Sequence, residues 1–203
     1  MNIALIGISG RVGSRLLAEL LARGHSVTGI ARSAAGVAPR PSLVIKVADA
    51  TDPAQLTPLL AGHDAAISAT RFVSADPKAL VAAVKQAGVP RLLVVGGAGS
   101  LEVAPGKALV DSPGFPDAYK AESTIGRAFL DVLRAEPTLD WTFLSPSAEF
   151  APGPRTGKFR LGADRLLVDD HGKSWISMED FAIALVDELE RPAHSRRRFT
   201  VGY

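Results

Sequence analysis

The chain has 203 residues, 47% of them hydrophobic and 22% charged, with a formal net charge of +2 at pH 7. That length suits one domain with a substantial core, and the near-balanced charge excludes a dedicated polyanion binder. The absence of cysteine excludes disulfides, thiolate metal sites and cysteine nucleophiles, and no apolar run approaches the roughly 18 residues that cross a bilayer.

Residues 3–6 read as a first strand that runs straight into a glycine turn. The start M-N-I-A-L-I-G carries no basic leader, which is not the pattern of a signal peptide. The expectation is a soluble, cytoplasmic protein. A helix over 11–23 places Val12, Leu16 and Leu20 at i, i+4 spacing with Leu17 and Leu21 beside them, and Gly24 stops it. Residues 26–30 and 43–47 read as strands. Asp52, Pro53 and Gln55 supply an N-cap, a proline at N1 and a capping-box partner for a short helix ending at Leu60. Residues 65–68 form a fourth strand, Asp76 and Pro77 open a helix to Ala87, and residues 91–95 form a strand of the buried type. A loop rich in glycine and proline covers 96–116 and leads to a helix over 117–135 and a strand over 141–144. Ser177, Met178, Glu179 and Asp180 are a second capping signature, opening a helix to Glu190, and residues 198–201 close the sheet.

Strand and helix in alternation predict an α/β fold, a mostly parallel sheet wound in both directions with helices on both faces. No internal repeat or linker divides the chain, so residues 1–203 are expected to form a single domain. The segment 150–175 breaks the rhythm and reads as a small hairpin or lobe over a ligand crevice.

The stretch "IALIGISGRVGSRLL" carries the chemistry. A dinucleotide pyrophosphate needs backbone N–H groups aimed at it from a helix N-terminus, and a side chain at the turn would block that approach. Gly7 turns the chain, Gly10 lets backbone approach phosphate, and Gly13 lets the helix pack close to the strand. Arg11 and Val12 start that helix and belong to the same contact. The spacing is G-x-x-G-x-x-G, with Ser9 where the dehydrogenase fingerprint G-x-G-x-x-G has glycine. Its hydroxyl can add a phosphate hydrogen bond. The strand before and helix after are the context that the motif requires. An NAD site places an acid about 20 residues on, at the ribose 2′-hydroxyl. No Asp or Glu occurs between Glu19 and Asp49. Arg32 stands there instead, with Ser33 beside it, and a guanidinium forks onto a 2′-phosphate. NADP(H) is therefore expected over NAD(H). Asp49, followed by Ala50, is placed either at the adenine edge or simply in a turn. Ala69, Thr70 and Arg71 follow the fourth strand, off the carboxyl ends where ligands of open sheets lie.

With these residues in hand, the chain resembles a small atypical short-chain dehydrogenase/reductase of Rossmann fold. It is similar to the NmrA-like NAD(P)H-binding proteins known as NADH-flavin reductases and related to biliverdin-IXβ/flavin reductase. The likeness rests on "GISGRVGSRLLAELLARGHSVTGIARS", "RLLVVGGAGSLEVAPG", "FPDAYKAE", "DWTFLSPSAEFAPGPRTGKFRLG" and "ISMEDFAIALVDELERPAHSRRRFTVGY". It implies an NADP(H) site, with Gly96, Gly97, Ala98, Gly99 and Ser100 beside the nicotinamide. The same likeness implies that Ser145, Pro146 and Ser147 stand opposite, near the carboxamide and the substrate. Ser100 and Ser147 are the candidates for positioning the reacting groups. The chain departs from the family of alcohol dehydrogenases at the Tyr-x-x-x-Lys pair, in which lysine lowers the tyrosine pKa. Tyr119 has Ser123 four residues on, and Lys120 faces another direction. Where the biliverdin reductases carry a pocket histidine, this chain has Ser147.

Hydride transfer to a flavin asks little acid–base work of the protein, because the cofactors carry the electronics. The expected function is thus NADPH-dependent reduction of a flavin, quinone or similar planar acceptor. The alternative is a non-catalytic NADP(H) sensor of the NmrA-like type, with which the missing pair is equally compatible. A sugar-nucleotide epimerase is disfavoured by the missing pair and the short C-terminal part. His25, His63, His171 and His194 show no metal-ligand spacing, so no metal is expected. Arg196, Arg197 and Arg198 read as a solvated turn rather than a nucleic-acid patch. Neither nucleic acid nor membrane is an expected partner, and the protein is expected as a monomer or homodimer.

Overall fold

The computed structural model describes residues 1–33 and 35–203. The elements in order are β1 (Asn2–Ile6), α1 (Arg11–Ala22), β2 (Ser26–Ala31), β3 (Leu43–Val47), α2 (Pro53–Leu60), β4 (Ala65–Ser68), α3 (Pro77–Gln86) and β5 (Arg91–Val95). They continue with β6 (Glu102–Ala104), β7 (Lys107–Ala108), α4 (Asp117–Arg134), β8 (Asp140–Ser145), β9 (Glu149–Ala151), β10 (Arg160–Gly162), β11 (Trp175–Ser177), α5 (Met178–Glu190) and β12 (Arg197–Gly202).

The central sheet has eight strands in the order β10-β12-β8-β5-β4-β1-β2-β3. Every neighbouring pair from β12 to β3 is parallel, and β10 lies antiparallel on β12. Side-chain alternation splits the core in two. Ile3 and Leu5 face Leu16, Leu20, Phe181 and Leu185 of α1 and α5. Ala4 and Ile6 face α2, α3 and α4, where Leu56, Leu80, Phe129 and Leu133 are buried. The sheet is therefore dressed on both faces, as its continuous apolar runs require. β1 lies between β2 and β4, and the chain order reverses there. That is the switch point at which an open α/β sheet leaves a crevice off its strand ends.

The caps form as the sequence spacing predicts. Asp52 accepts from Ala54 N–H, Asp76 from Lys78 and Ala79 N–H, and Ser177 from Asp180 N–H. Gln55 completes the first one differently. Its amide donates to the Asp52 carboxylate at 2.7 Å and its carbonyl accepts Asp49 N–H at 3.3 Å, tying α2 to the loop after β3.

The two irregular stretches carry short elements of their own. The loop over 96–116 holds 3-10 turns at Ala98–Ser100 and Leu109–Asp111 and the ribbon β6–β7. The segment 150–175 does not fold back on itself as a hairpin. β9 pairs in parallel with β11, and β10 leaves to join the edge of the main sheet. Nor are the three late arginines one solvated turn. Arg196 donates to the Pro137 carbonyl, whereas Arg198 is buried and paired with Asp164. Among the described residues, no helix is long and apolar enough to cross a membrane.

Candidate dinucleotide site

β1 ends at Ile6, and Gly7 turns the chain with φ +86°, a backbone conformation that L side chains rarely adopt. Its N–H donates to the Ile30 carbonyl at 2.8 Å, and Gly10 N–H returns to the Gly7 carbonyl at 3.0 Å. A Cβ on Gly13 would lie 2.1 Å from the Gly7 carbonyl oxygen, so α1 meets the turn backbone to backbone. Beneath the turn, the buried Ile8 side chain occupies the place of a Cβ on Gly29, which would come within 2.0 Å of it. Gly29 thus leaves room for the side chain that follows the turn, although it does not line the crevice beside that turn. Its one signal in the sequence is a glycine inside a strand.

α1 begins without help from its own side chains. Its N-cap is Gly10, which makes no side-chain cap, and its first turn holds no acidic residue. Arg11 stands at the first position, where a cation opposes the helix dipole. The opening N–H groups of Arg11, Val12 and Gly13 have no intrahelical acceptor. A helix start of this kind fits an anion.

The crevice beside the turn has a volume of about 450 Å³. Gly7, Ser9 and Gly10 line it from the turn, Arg32 from the end of β2, and Asp49 and Ala50 from the end of β3. Ala69, Thr70 and Arg71 close it from the end of β4. Asp49 is both cleft wall and turn aspartate. Its carboxylate accepts the Thr51 N–H and hydroxyl, both at 2.9 Å, and these bonds, with the Arg32 charge, hold it below the usual carboxylate range. Ser33 does not line the crevice, and its hydroxyl oxygen accepts Ala35 N–H at 3.1 Å. Arg71 is 75% exposed, with Glu122 of α4 at 3.4 Å. Glu122, which sequence reasoning passed over, also accepts Phe72 N–H at 2.6 Å and so anchors the loop after β4 to α4.

The remaining candidates form a second group, beyond the crevice lining. Gly96 N–H donates to the Leu144 carbonyl at 2.8 Å, pulling the turn after β5 onto β8. Gly97 caps the 3-10 turn that ends in Ser100. The Ser100 hydroxyl accepts from Arg198 at 3.3 Å. Burial pulls the Arg198 guanidinium below its ordinary pKa, and Asp164 opposes that shift. Ser145 and Pro146 are buried at the end of β8, and the Ser145 hydroxyl is without a partner among the described residues. Ser147 is buried and donates to the Val201 carbonyl at 3.0 Å, where it clamps the chain after β8 to β12 rather than facing an opening. Ser123 holds the position where a catalytic lysine would stand. It packs against Gly99, whose Cβ would fall 2.5 Å from that of Ser123.

A family model described as NAD(P)H-binding matches residues 7–192. A solved Burkholderia pseudomallei structure, provisionally named an exported protein, is 48% identical, with a TM-score of 0.91 and 100% of each chain covered. A Bacteroides thetaiotaomicron structure, provisionally named an epimerase, is 42% identical with a TM-score of 0.95, covering 100% of this chain and 96% of its own. A Streptococcus pneumoniae structure, provisionally named an NADH-flavin reductase, is 34% identical with a TM-score of 0.85, covering 100% of this chain and 99% of its own.

Proposed function

The chain belongs to the NAD(P)H-binding family, and from that premise we propose that it is an NADPH-dependent reductase which passes hydride to a flavin or a similar planar acceptor such as a quinone. The provisional names of its relatives disagree, and the reading rests on the geometry. One observation carries the reading. A crevice with a helix start suited to an anionic dinucleotide meets α4 through Arg71 and Glu122, and α4 carries no acid–base pair there, since Ser123 fills the lysine position and packs on Gly99. Epimerases and alcohol dehydrogenases that use the pair need proton transfer there. Flavin reduction does not.

The whole of residues 1–203 acts in this reading as one cofactor-binding domain. The N–H groups of Arg11, Val12 and Gly13, with the Ser9 hydroxyl, hold the pyrophosphate. Arg32 forks onto the 2′-phosphate, and Asp49 borders the adenine. The unpartnered Ser145 hydroxyl suits the carboxamide, a group with both a donor and an acceptor. Arg198 occupies the Ser100 oxygen as acceptor, which leaves the Ser100 hydrogen free to donate toward the reacting groups. Ser147 is left out of the reacting set in this reading because it is fully buried and its one donor goes to the Val201 carbonyl. Reduced nicotinamide supplies the hydride, and the protein's task is to align the two rings and exclude water.

The test is NADPH oxidation by purified protein with FMN, FAD, riboflavin and quinones. No consumption with any of them overturns the reading. Tight NADP(H) binding without turnover, together with a co-purifying protein, instead favours a sensor. Arg32→Ala is expected to weaken NADPH about 10- to 100-fold, the worth of hydrogen bonds to a charged group, and to leave NADH unchanged. Equal losses for the two cofactors would remove Arg32 from the 2′-phosphate. A cytoplasmic location, where reduced dinucleotide is supplied, is part of the reading. The name of the Burkholderia structure points the other way, and cell fractionation decides.

A further inference from the structure

The tyrosine at the head of α4 stands where a packed residue belongs. α4 turns one stripe toward the body. Ser123 packs on Gly99, Glu122 accepts Phe72 N–H, and Gly126 receives the Phe72 ring. Phe129, Leu130 and Leu133 continue that stripe in the core. Residues three and four apart share a helix face. Position 119, three before Glu122 and four before Ser123, therefore extends the same stripe by one turn. Yet Tyr119 is 65% exposed. The body has fallen away beneath it. α4 starts on the side of the sheet where the strands end, because the 3-10 turn Ala98–Ser100 that follows β5 is what Ser123 touches. Its first turn thus stands about 5.4 Å beyond Ser123, one turn past Glu122, whose carboxylate meets Arg71 of the crevice wall.

From this overhang we infer that Tyr119 is the stacking platform for the electron acceptor, its ring covering one face of a flat, conjugated, two- or three-ring molecule. The inference rests on the reductase reading above and gives it a substrate class. Aromatic side chains take any planar π-system at modest geometric cost, and neither a sugar nor a small hydroxy acid offers such a face. The surroundings agree. Val73, held to α4 through Glu122, is 45% exposed and adds apolar surface, and Arg71 beside it supplies a cation at the rim. A role for Tyr119 as proton donor fits less well, because position 123 carries serine in place of the activating lysine.

Tyr119→Ala is expected to raise the KM for riboflavin or menadione about five- to tenfold, the worth of one aromatic pair, with the KM for NADPH unchanged. Tyr119→Phe keeps the ring and is expected to restore the acceptor KM to within about twofold of the wild type. Wild-type turnover with an unchanged acceptor KM in Tyr119→Ala overturns the platform. So does a large fall in kcat in Tyr119→Phe, which would make the hydroxyl a proton donor. If the wild type turns over no acceptor, the reductase reading fails first. The platform is then tested separately by quenching of riboflavin fluorescence on NADP-saturated protein. Quenching that is lost in Tyr119→Ala and kept in Tyr119→Phe supports it, and no quenching by the wild type overturns it.

Discussion

At position 13 one extra carbon has nowhere to go. The Gly7 carbonyl that it would meet is backbone, so relief requires moving the turn itself. Gly13→Ala is expected to cost about 1–3 kcal/mol, as overpacking does, and to weaken NADP(H) about tenfold or more because the displaced turn is the cofactor's seat. Thermal unfolding and a fluorescence titration read the two effects. An unshifted Tm with native affinity would mean that the close approach does not matter. Gly7, Gly10 and Gly13 were legible because their reason is local, a turn between a strand and a helix. Gly29 was not, since its reason is the Ile8 side chain on a neighbouring stretch of chain. The burial of Ser147 and Arg198 is hidden for the same cause. A serine after a strand and an arginine in a basic run both look exposed until the sheet closes around them.

The parallel strands and the helix starts could be read almost residue by residue. Buried strands are apolar runs, and caps are short-range chemistry. Asp76 shows how local the cap is, because its carboxylate satisfies two N–H groups within three residues, at 2.8 and 3.2 Å. Asp76→Ala is expected to cost about 1 kcal/mol and to lower Tm by about 2–4 °C for a domain of this size, with cofactor affinity intact. A Tm unchanged within error would show that Pro77 and the packing of α3 suffice. The elements of 96–116 and 150–175 were illegible. Strands of two or three residues carry no period, and β9 finds its partner only at Trp175–Ser177. What specifies them is pairing over long distance, which no window along the chain contains.

Across the whole molecule, carboxylates join the parts that the sheet does not. Asp180, fully buried, accepts from the Thr156 N–H and hydroxyl, Gly157 N–H and the Tyr203 hydroxyl, and so binds the strap after β9 and the last residues to α5. Glu188 likewise gathers Arg91 at 2.7 Å and His194 at 2.7 Å. Burial alone would raise both carboxyls, but the bonds to Asp180, and on Glu188 those from the His194 ring and the His194 and Ala193 N–H groups, hold each below its ordinary pKa. A depressed folded pKa means that the stabilisation is fully present above the unfolded range near 4. It is lost as pH falls through the lower folded values. Tm is therefore expected to hold from neutrality down to about pH 5 and then to fall. Asp180→Asn is expected to cost about 1.5–3 kcal/mol at pH 7 and to flatten the acid limb. An acid limb identical to that of the wild type would place the titration elsewhere.

The position of β12 has a consequence in time. The four strands β3-β2-β1-β4 come from residues 2–68, so all of their partners in the sheet on that side are made early. On the other side, β8 keeps one edge open until residues 197–202 arrive, and β10, made earlier, has no rail to join before then. For that interval the nascent chain shows an unpaired strand bearing Trp141 and Phe143, the kind of edge on which other chains template. A stall or cut just upstream of Arg197 would therefore release a protein with an adhesive edge, since β8 and β10 both lose the strand that joins them.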